Sequence, residues 1–185
     1  MNTLKKPKLF GRKITLRPIT AVDAPDMFAA LSDEESMRLT GTQQSFTFEQ
    51  VEAFCSRLLE ADDRVDYAIT LQGDANERYI GEVVLNSIDW HNRSADFRIV
   101  LQQQQYFGKG YGTEATELIV AFGFEQLKLH RIELEVYDFN PRAQHVYEKI
   151  GFVREGLRRD VLLWEGTYHS AIVMSLLASE FRPKS

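Results

Sequence analysis

The sequence predicts an α+β fold with a central mixed sheet, mostly antiparallel, of about seven strands flanked by about four helices. Three stretches of alternating apolar residues lie in succession in the middle of the chain, helical periodicities stand on both sides of them, and a hairpin pattern closes the chain around Glu165-Gly166. Consecutive strands interrupted by helices near one end of the sheet are typical of this class. The predicted strands are one ending at Pro18 and those over 67–71, 78–88, 95–101, 131–137, 161–164 and 167–177.

Two helices are predicted between the first strand and the second. Each begins at a capping-box pattern, in which a threonine is followed three positions later by an acidic or amide residue: Thr20 with Asp23, and Thr47 with Gln50. Apolar residues then recur on one face of each helix. The segment between them, Ser32 to Ser45, is mostly polar and predicts an irregular connection.

Two more helices are predicted in the second half of the chain. The first begins at Tyr111, after which apolar residues recur at helical spacing for about three turns. The second begins after Asn140, because asparagine is a favourable N-cap and Pro141 suits the first helical position. Gly151 follows the last apolar residue of this helix, at the position where a left-handed cap residue belongs.

Length, charge and composition limit the class of protein. The 185 residues fit one domain over 1–185, with 1–10 as an N-terminal tail, and the formal net charge is −5. Because no basic stripe is present, we expect no nucleic-acid partner, whereas an acidic protein suits cationic acceptors such as amines. No apolar run approaches the roughly 20 residues of a membrane span, and Met1 to Lys8 is polar, so we expect a cytoplasmic protein without a membrane partner. The lone Cys55 is predicted to lie in the core.

The segment Gly108-Lys109-Gly110-Tyr111-Gly112-Thr113 lies between a predicted strand and a predicted helix. Its alternate glycines leave backbone N–H groups unobstructed, and the helix adds the positive end of its dipole, which together favour phosphate or pyrophosphate. Two other phosphate motifs do not fit, because a P-loop requires a lysine before the threonine and a Rossmann fingerprint requires a different glycine spacing. The alternative is a tight turn in which glycine serves only backbone freedom.

A second segment extends from Asn140 through Ala143 and Tyr147 to Gly151-Phe152. Asn140 and Tyr147 are seven positions apart, which places them two turns apart on one helix face. A tyrosine on an apolar stripe is ordinarily a core residue, and taken alone the spacing does not exclude that alternative.

With both segments in this order, about 30 residues apart, the chain resembles the GNAT superfamily of acyl-CoA-dependent N-acyltransferases. It resembles in particular the Rim-like branch, which includes ribosomal-protein N-terminal acetyltransferases. The resemblance extends from the strand that contains Ile14 to the terminal hairpin. It implies that 95–101 and 131–137 are parallel neighbours that splay apart, that acetyl-CoA is the co-substrate, and that no metal is needed.

The resemblance also implies roles for individual residues. Backbone amides of the glycine segment would hold the pyrophosphate, with Lys109 adding a charge contact, while Phe107 stands where the family has Gln or Arg. Backbone groups at the end of the preceding strand would contact the pantetheine arm and polarise the thioester carbonyl. Asn140 would hydrogen-bond the pantetheine chain, and Tyr147 would act as the catalytic acid that protonates the leaving thiolate. The residues assigned to the co-substrate are Ile99, Val100, Leu101, Gly108, Lys109, Gly110, Tyr111, Gly112, Thr113, Asn140 and Tyr147.

The reaction also requires a base, because an acceptor ammonium must lose a proton before its nitrogen can attack a thioester. Glu82 alternates with apolar residues in its strand, which predicts a carboxylate on a largely apolar face, and it is the first candidate for this catalytic role. Asp96, Glu133 and Glu135 are the other candidates, and for each of the four a solvated sheet face is the alternative.

The acceptor site is expected between the first two helices, their connection and the closing hairpin, where Glu34, Glu35 and Glu165 would attract a cation. The sequence therefore predicts an acetyl-CoA-dependent N-acetyltransferase that acts by direct attack of a primary amine, either in an amine-bearing small molecule or at a protein N-terminus. The alternatives are a polyamine or antibiotic acetyltransferase, and a non-catalytic acyl-CoA-binding regulatory module. The Asn140–Tyr147 pair favours catalysis over the regulatory module. The sequence does not decide whether the protein is a homodimer.

Overall fold

Within residues 4–183, which the computed structural model describes, eight strands form one sheet and five α-helices pack on it. The first three residues of the predicted N-terminal tail lie outside the described residues. The strands are β1 (Leu9–Phe10), β2 (Ile14–Pro18), β3 (Val65–Leu71), β4 (Gly81–Asp89), β5 (Ser94–Leu101), β6 (Arg131–Tyr137), β7 (Val153–Trp164) and β8 (Thr167–Leu177). The helices are α1 (Ala24–Ala30), α2 (Glu34–Thr40), α3 (Phe48–Arg57), α4 (Tyr111–Glu125) and α5 (Pro141–Ile150).

The order of the strands across the sheet is β1-β2-β3-β4-β5-β6-β8-β7. All neighbours are antiparallel except β5 and β6, which are parallel and joined through α4. This confirms the predicted α+β class, the mostly antiparallel mixed sheet and the parallel pair. The sheet has one strand more than predicted, because β1 is only two residues long and lies inside the predicted tail 1–10. A strand of two residues is too short to show alternation in a sequence.

The helices differ from the prediction in two places. The first helix was predicted to begin after Thr20, but Ala21–Asp23 form a 3-10 turn, and α1 begins at Ala24. The segment Ser32 to Ser45, predicted to be irregular, contains α2. This helix begins where Asp33 accepts the Ser36 N–H at 2.9 Å and ends at Gly41, whose φ is +66°. Its seven residues are too few to show a clear apolar period. The predicted start of α3 is confirmed, since Thr47 and Gln50 form a capping box. None of the described helices is long and apolar enough to cross a membrane.

The closing hairpin is longer than predicted on its first side. β7 begins at Val153 rather than at Val161, while β8 and the Glu165-Gly166 turn lie where they were predicted. The pairing of β7 with β8 shifts between Arg154 and Gly156 and again between Arg158 and Leu162. Each shift interrupts the period-two alternation on which a strand prediction depends.

Two buried clusters cover the two faces of the sheet. The larger one joins α4 and α5 to residues such as Leu85 and Ile132, and Gly123 lets α4 approach closely, because a Cβ there would stand 3.0 Å from both side chains. The smaller cluster joins α1 and α3 to β3. It contains Cys55, whose Sγ lies 3.7 Å from Met27 Sδ. Burial raises the pKa of the Cys55 thiol to about 11, so the predicted core role is confirmed and the thiol stays protonated at neutral pH.

Gly41 fixes the position of α2, and its replacement tests this. A Cβ on Gly41 would overlap the ring of Tyr137 at the end of β6, whereas Gly73 has the same left-handed backbone and open space around it. We expect Gly73→Ala to cost about 1–2 kcal/mol through its backbone alone, which lowers Tm by roughly 2–8 °C. Gly41→Ala should cost about 1–3 kcal/mol more through the clash. Thermal unfolding of both variants measures this difference, and equal Tm values would show that α2 does not pack tightly on Tyr137.

Candidate active site

A cleft of about 770 Å³ opens between the parallel strands β5 and β6. Their pairing covers three positions and ends at Asp96 opposite Glu133, although both strands continue beyond that point. Residues 97–101 of β5 and 134–137 of β6 therefore separate and line the two walls of the cleft. The resemblance implied a splayed pair at these strands, and the structure has one.

The direction of the backbone groups in β5 determines which of its residues can contact a pantetheine arm in the cleft. The N–H of Gln102 donates to the carbonyl of Ile80 at 2.9 Å, and the carbonyl of Val100 points at Gly81, so even-numbered residues of this stretch present their backbone to β4. Because backbone groups alternate along a strand, Ile99 and Leu101 present theirs to the cleft. Val100 lines the cleft, but its backbone does not face it. The geometry therefore favours Ile99 and Leu101 for the backbone contacts, and the role of Val100 stays a prediction.

The glycine segment forms the mouth of the cleft at the start of α4. Gly108 and Gly110 have φ values of +72° and +85°, a left-handed conformation that side chains rarely adopt. The first helical hydrogen bond of α4 is donated by Glu114 N–H, and no side chain caps the helix. The three preceding N–H groups, from residues 111 to 113, therefore stand at the positive end of the helix without helical partners, as an anion site requires. Gly112 lies beside Leu101, which joins this site to the end of β5.

Lysine side chains add positive charge to the segment. Lys109 is exposed, and its carbonyl accepts a 2.9 Å hydrogen bond from Lys13 Nζ. The same Nζ lies 3.2 Å from the point where a Cβ on Gly110 would stand. Sequence reasoning missed Lys13, because it lies in the turn between β1 and β2, 96 positions from Lys109. No pattern along the chain connects these two residues.

Asn140 and Tyr147 both lie on the wall of the cleft that α5 forms. Asn140 Oδ1 accepts the Ala143 N–H at 3.2 Å, which caps the helix and holds the side chain in place, while its amide group is not used by the cap. The Tyr147 ring lies edge-on to Phe97, with centroids 5.7 Å apart, and is 8% exposed. Tyr147 is thus both a packed residue and a cleft residue. Burial alone raises the pKa of its phenol, so the hydroxyl stays protonated at neutral pH and can donate.

Three carboxylates line the cleft near the last paired position of β5 and β6. Two of them are paired with arginines: Glu133 with Arg131 at 2.7 Å, and Glu135 with Arg158. Asp96 has no such ion pair within residues 4–183 and is half-buried. Burial raises the pKa of Asp96, the nearby Glu133 and Glu135 raise it further, and a hydrogen bond with Ser87 opposes these effects.

The sequence candidate for the base lies elsewhere. Glu82 is 6% exposed, is bonded to Arg98 at 2.6 Å, and is not among the residues that line the cleft, although Arg98 is. Burial raises the pKa of Glu82, and Arg98 lowers it. The carboxylate therefore faces the cleft only through its arginine, and its role as base stays a prediction.

The segment between the first two predicted helices, which was expected to border the acceptor, does line part of the cleft. Ser36, at the buried face of α2, lines the cleft and donates to the carbonyl of Leu101 at 3.2 Å. Of the acidic residues expected there, Glu35 is paired with Arg38 at 3.0 Å and Glu34 is exposed outside the cleft. Glu35 and Glu165 both raise the pKa of Arg38, Glu35 through its hydrogen bond and Glu165 through its charge. None of these three carboxylates lines the cleft, and their attraction of a cationic acceptor stays a prediction.

Comparison with known proteins agrees with this geometry. The model of the acetyltransferase (GNAT) domain matches residues 13–153. This span is about three quarters of the chain and contains the cleft, the glycine segment and α5. The chain belongs to the GNAT acetyltransferase family, and the predicted enzyme class, an N-acetyltransferase, is confirmed.

Three relatives illustrate the range of this family. A Bacillus subtilis protein named as an N-acetyltransferase, YjcK, is 30% identical over 91% of this chain and 96% of its own length. A spermidine N(1)-acetyltransferase of Vibrio cholerae is 35% identical over 60% of this chain, and the match spans 64% of that enzyme, slightly less than two thirds of its length. A Bacillus subtilis protein named as a ribosomal N-acetyltransferase, YdaF, is 33% identical over 55% of each chain, in line with the predicted Rim-like resemblance.

A solved structure has the same fold. The spermidine N-acetyltransferase from Vibrio cholerae, in complex with CoA and spermine, superposes with a TM-score of 0.84 at 26% identity. The superposition covers 92% of this chain and 98% of that one.

Gly110→Asp tests whether the glycine segment binds the co-substrate. The substitution adds a side chain and a negative charge where we expect phosphate. Saturating acetyl-CoA should raise the Tm of the unchanged protein by at least about 5 °C, because a ligand at 100 Kd adds about 2.7 kcal/mol to the stability of the native state. The variant should lose most of this rise. Gly73→Asp, with the same left-handed backbone in an exposed turn, is the control and should keep it. Equal rises in both variants would exclude this segment from the binding site.

Proposed function

We propose that this chain transfers the acetyl group of acetyl-CoA to a primary amine of a small molecule with several amino groups, of the polyamine class. The observation that carries the proposal is the opening between β5 and β6. The backbone of Ile99, the side chain of Tyr147 and the carboxylate of Asp96 all border this one cleft. Support for the acceptor class comes from the net charge of −5, the three carboxylates along the cleft and the relatives named for spermidine.

The residues present fit acetyl-CoA as co-substrate. The free N–H groups at the start of α4 and the cations Lys13 and Lys109 suit a pyrophosphate. The backbone of Ile99 and Leu101 and the side-chain amide of Asn140 offer hydrogen bonds to a pantetheine arm along the cleft. The arrangement therefore supports acetyl-CoA as the co-substrate.

Three groups of this chain would then act on the reacting atoms. The Ile99 N–H would donate to the thioester oxygen as negative charge develops there. The Asp96 carboxylate would take a proton from the acceptor ammonium, directly or through a water, and so free its nitrogen for attack. The Tyr147 hydroxyl would protonate the sulfur as the carbon–sulfur bond breaks, and the second proton that the attacking nitrogen loses on becoming an amide would restore the phenol. The new bond is an amide, and the products are the acetylated amine and CoA thiol.

Asp96 is our choice for the base rather than Glu82, which the sequence favoured. Asp96 lines the cleft and has no arginine partner, whereas Glu82 lies beneath Arg98. A carboxylate with a raised pKa is also a stronger base for an ammonium ion than an ordinary aspartate.

A protein N-terminus is the second acceptor, favoured by the relative named as a ribosomal N-acetyltransferase. A regulatory module that binds acyl-CoA without turnover is the alternative outside catalysis. The expected cytoplasmic location, and the expectation of no nucleic-acid or membrane partner, stay predictions from composition.

A panel of acceptors separates these functions. The purified protein is incubated with acetyl-CoA and, in turn, polyamines, aminoglycosides, and peptides with free N-termini, while thiol release and acetylated product are measured. We expect one thiol per acetylated amine, with polyamines giving the highest kcat/KM. If peptides gave the highest kcat/KM, the acceptor would be a protein N-terminus and not a polyamine. If acetyl-CoA bound but no amine caused thiol release, catalysis would be contradicted.

Tyr147→Phe tests the catalytic acid. The substitution keeps the packed ring against Phe97 but removes the proton that we expect at the sulfur. With chemistry limiting, kcat should fall roughly 100-fold or more, the lower end for lost acid–base assistance. Acetyl-CoA affinity and Tm should change little. If Tyr147 is only a core residue, the variant will instead keep its kcat.

Asp96→Asn and Glu82→Gln, compared side by side, identify the base. We expect Asp96→Asn to lower kcat/KM about 100-fold at neutral pH. The difference in kcat/KM between this variant and the unchanged protein should become smaller toward pH 10, where the free amine forms without a catalytic base. In the unchanged protein, activity should be lost as pH falls through the raised pKa of Asp96, because protonation removes the base. Glu82→Gln should keep this acid limb and lose stability, since it leaves Arg98 unpaired. The reverse pattern would restore Glu82 as the base.

A further inference from the structure

Arg142 lines the cleft on the side that α5 forms, and its position is unusual for a cation. It is the second residue of α5, at the positive end of that helix, where a cation is disfavoured. Within residues 4–183 no carboxylate forms an ion pair with it, and it is exposed. The helix does not gain from an arginine here, so the side chain calls for another explanation.

The guanidinium of Arg142 lies over the ring of Phe107, with Cζ 4.1 Å from the ring centroid. Both residues line the cleft. Stacking on an aromatic face orients a guanidinium and leaves its N–H groups free in the plane, where they can bind two oxygens at once. Phe107 thus serves as a platform that holds the arginine in place immediately before the glycine segment.

Other positive groups belong to the same end of the cleft. The N–H groups at the start of α4 have no helical partners, and Lys13 and Lys109 lie next to Gly110. The protein as a whole has a net charge of −5, so this concentration of cations opposes the overall charge. Cations and N–H groups near one opening are stabilised when an anion binds between them.

We infer that Arg142, stacked on Phe107, binds the pyrophosphate of CoA together with the glycine segment. The inference rests on the proposed function, since it takes acetyl-CoA as the ligand. Arg142 is two residues beyond Asn140, the residue we assign to the pantetheine arm. In CoA the pyrophosphate is the group directly attached to that arm, whereas the 3′-phosphate lies farther away on the ribose. The arginine supplies the side-chain charge that Phe107 itself does not.

Calorimetric titration with three ligands tests this assignment. CoA carries both phosphate groups, 3′-dephospho-CoA keeps only the pyrophosphate, and S-acetylpantetheine has neither. We expect Arg142→Ala to weaken CoA and 3′-dephospho-CoA equally, by about 10-fold or more, as for the loss of a charge-assisted contact. S-acetylpantetheine, which has neither phosphate group, should bind to both proteins with equal affinity. A loss that disappears with 3′-dephospho-CoA would overturn the pyrophosphate assignment.

Matched variants separate binding from structure. Arg142→Lys keeps the charge without the planar fork and should lose less affinity than Arg142→Ala. Phe107→Ala alone should weaken the binding of CoA. When it is combined with Arg142→Ala, it should weaken binding little further, because both substitutions act on one contact. Arg159→Ala, on β7 and away from the cleft, is the control and should bind normally.

Kinetics give an independent readout. Arg142→Ala should raise KM for acetyl-CoA and leave kcat unchanged, since the pyrophosphate is held equally before and during the reaction. The difference from the unchanged protein should shrink at high salt, which screens the contact. If the unchanged protein fails to bind CoA, the proposed function fails with the inference. Normal CoA affinity in Arg142→Ala would overturn the inference alone.

Discussion

The early end of the pairing between β5 and β6 is the feature on which the rest of the site depends. A parallel pair that continued past Asp96 and Glu133 would satisfy the backbone of both strands and leave no space between them. Because the strands separate there, Ile99 and Leu101 keep backbone groups directed at a cleft rather than at a partner strand. Such groups are costly unless a ligand, a side chain or water satisfies them. The opening in the sheet is therefore also its binding site.

The parts of the fold that could be predicted are those whose signal is local. Capping residues at Thr47 and Asn140 mark helix starts directly, and the strict alternation of 131–137 gave the strand its exact bounds. Tertiary contacts decided the rest. The short helix α2 depends on Asp33 and Gly41 at its ends and on packing against Tyr137, which no spacing in the sequence shows.

The residues of the site likewise fall into those with a local signal in the sequence and those brought together only by the fold. The glycine segment and the Asn140–Tyr147 spacing could be found because one short stretch carries each of them. Lys13 comes to the glycine segment from a distant turn, and the choice between Asp96 and Glu82 depends on which side chain has an arginine partner. Alternation places both carboxylates on one face of the sheet but does not tell which of them borders the cleft. Ion pairing across strands is set by register, which a single sequence does not reveal.

Hydrogen exchange of the backbone amides, with and without acetyl-CoA, tests the central claim most directly, because it follows the groups that the splayed strands leave free. The account predicts that acetyl-CoA slows exchange in residues 97–101 and 111–113, where these N–H groups lie, by more than it slows exchange in β3, where only the added stability of the whole native state acts. The claim would be contradicted if acetyl-CoA bound, as shown by calorimetry on the same sample, and exchange at 97–101 did not change.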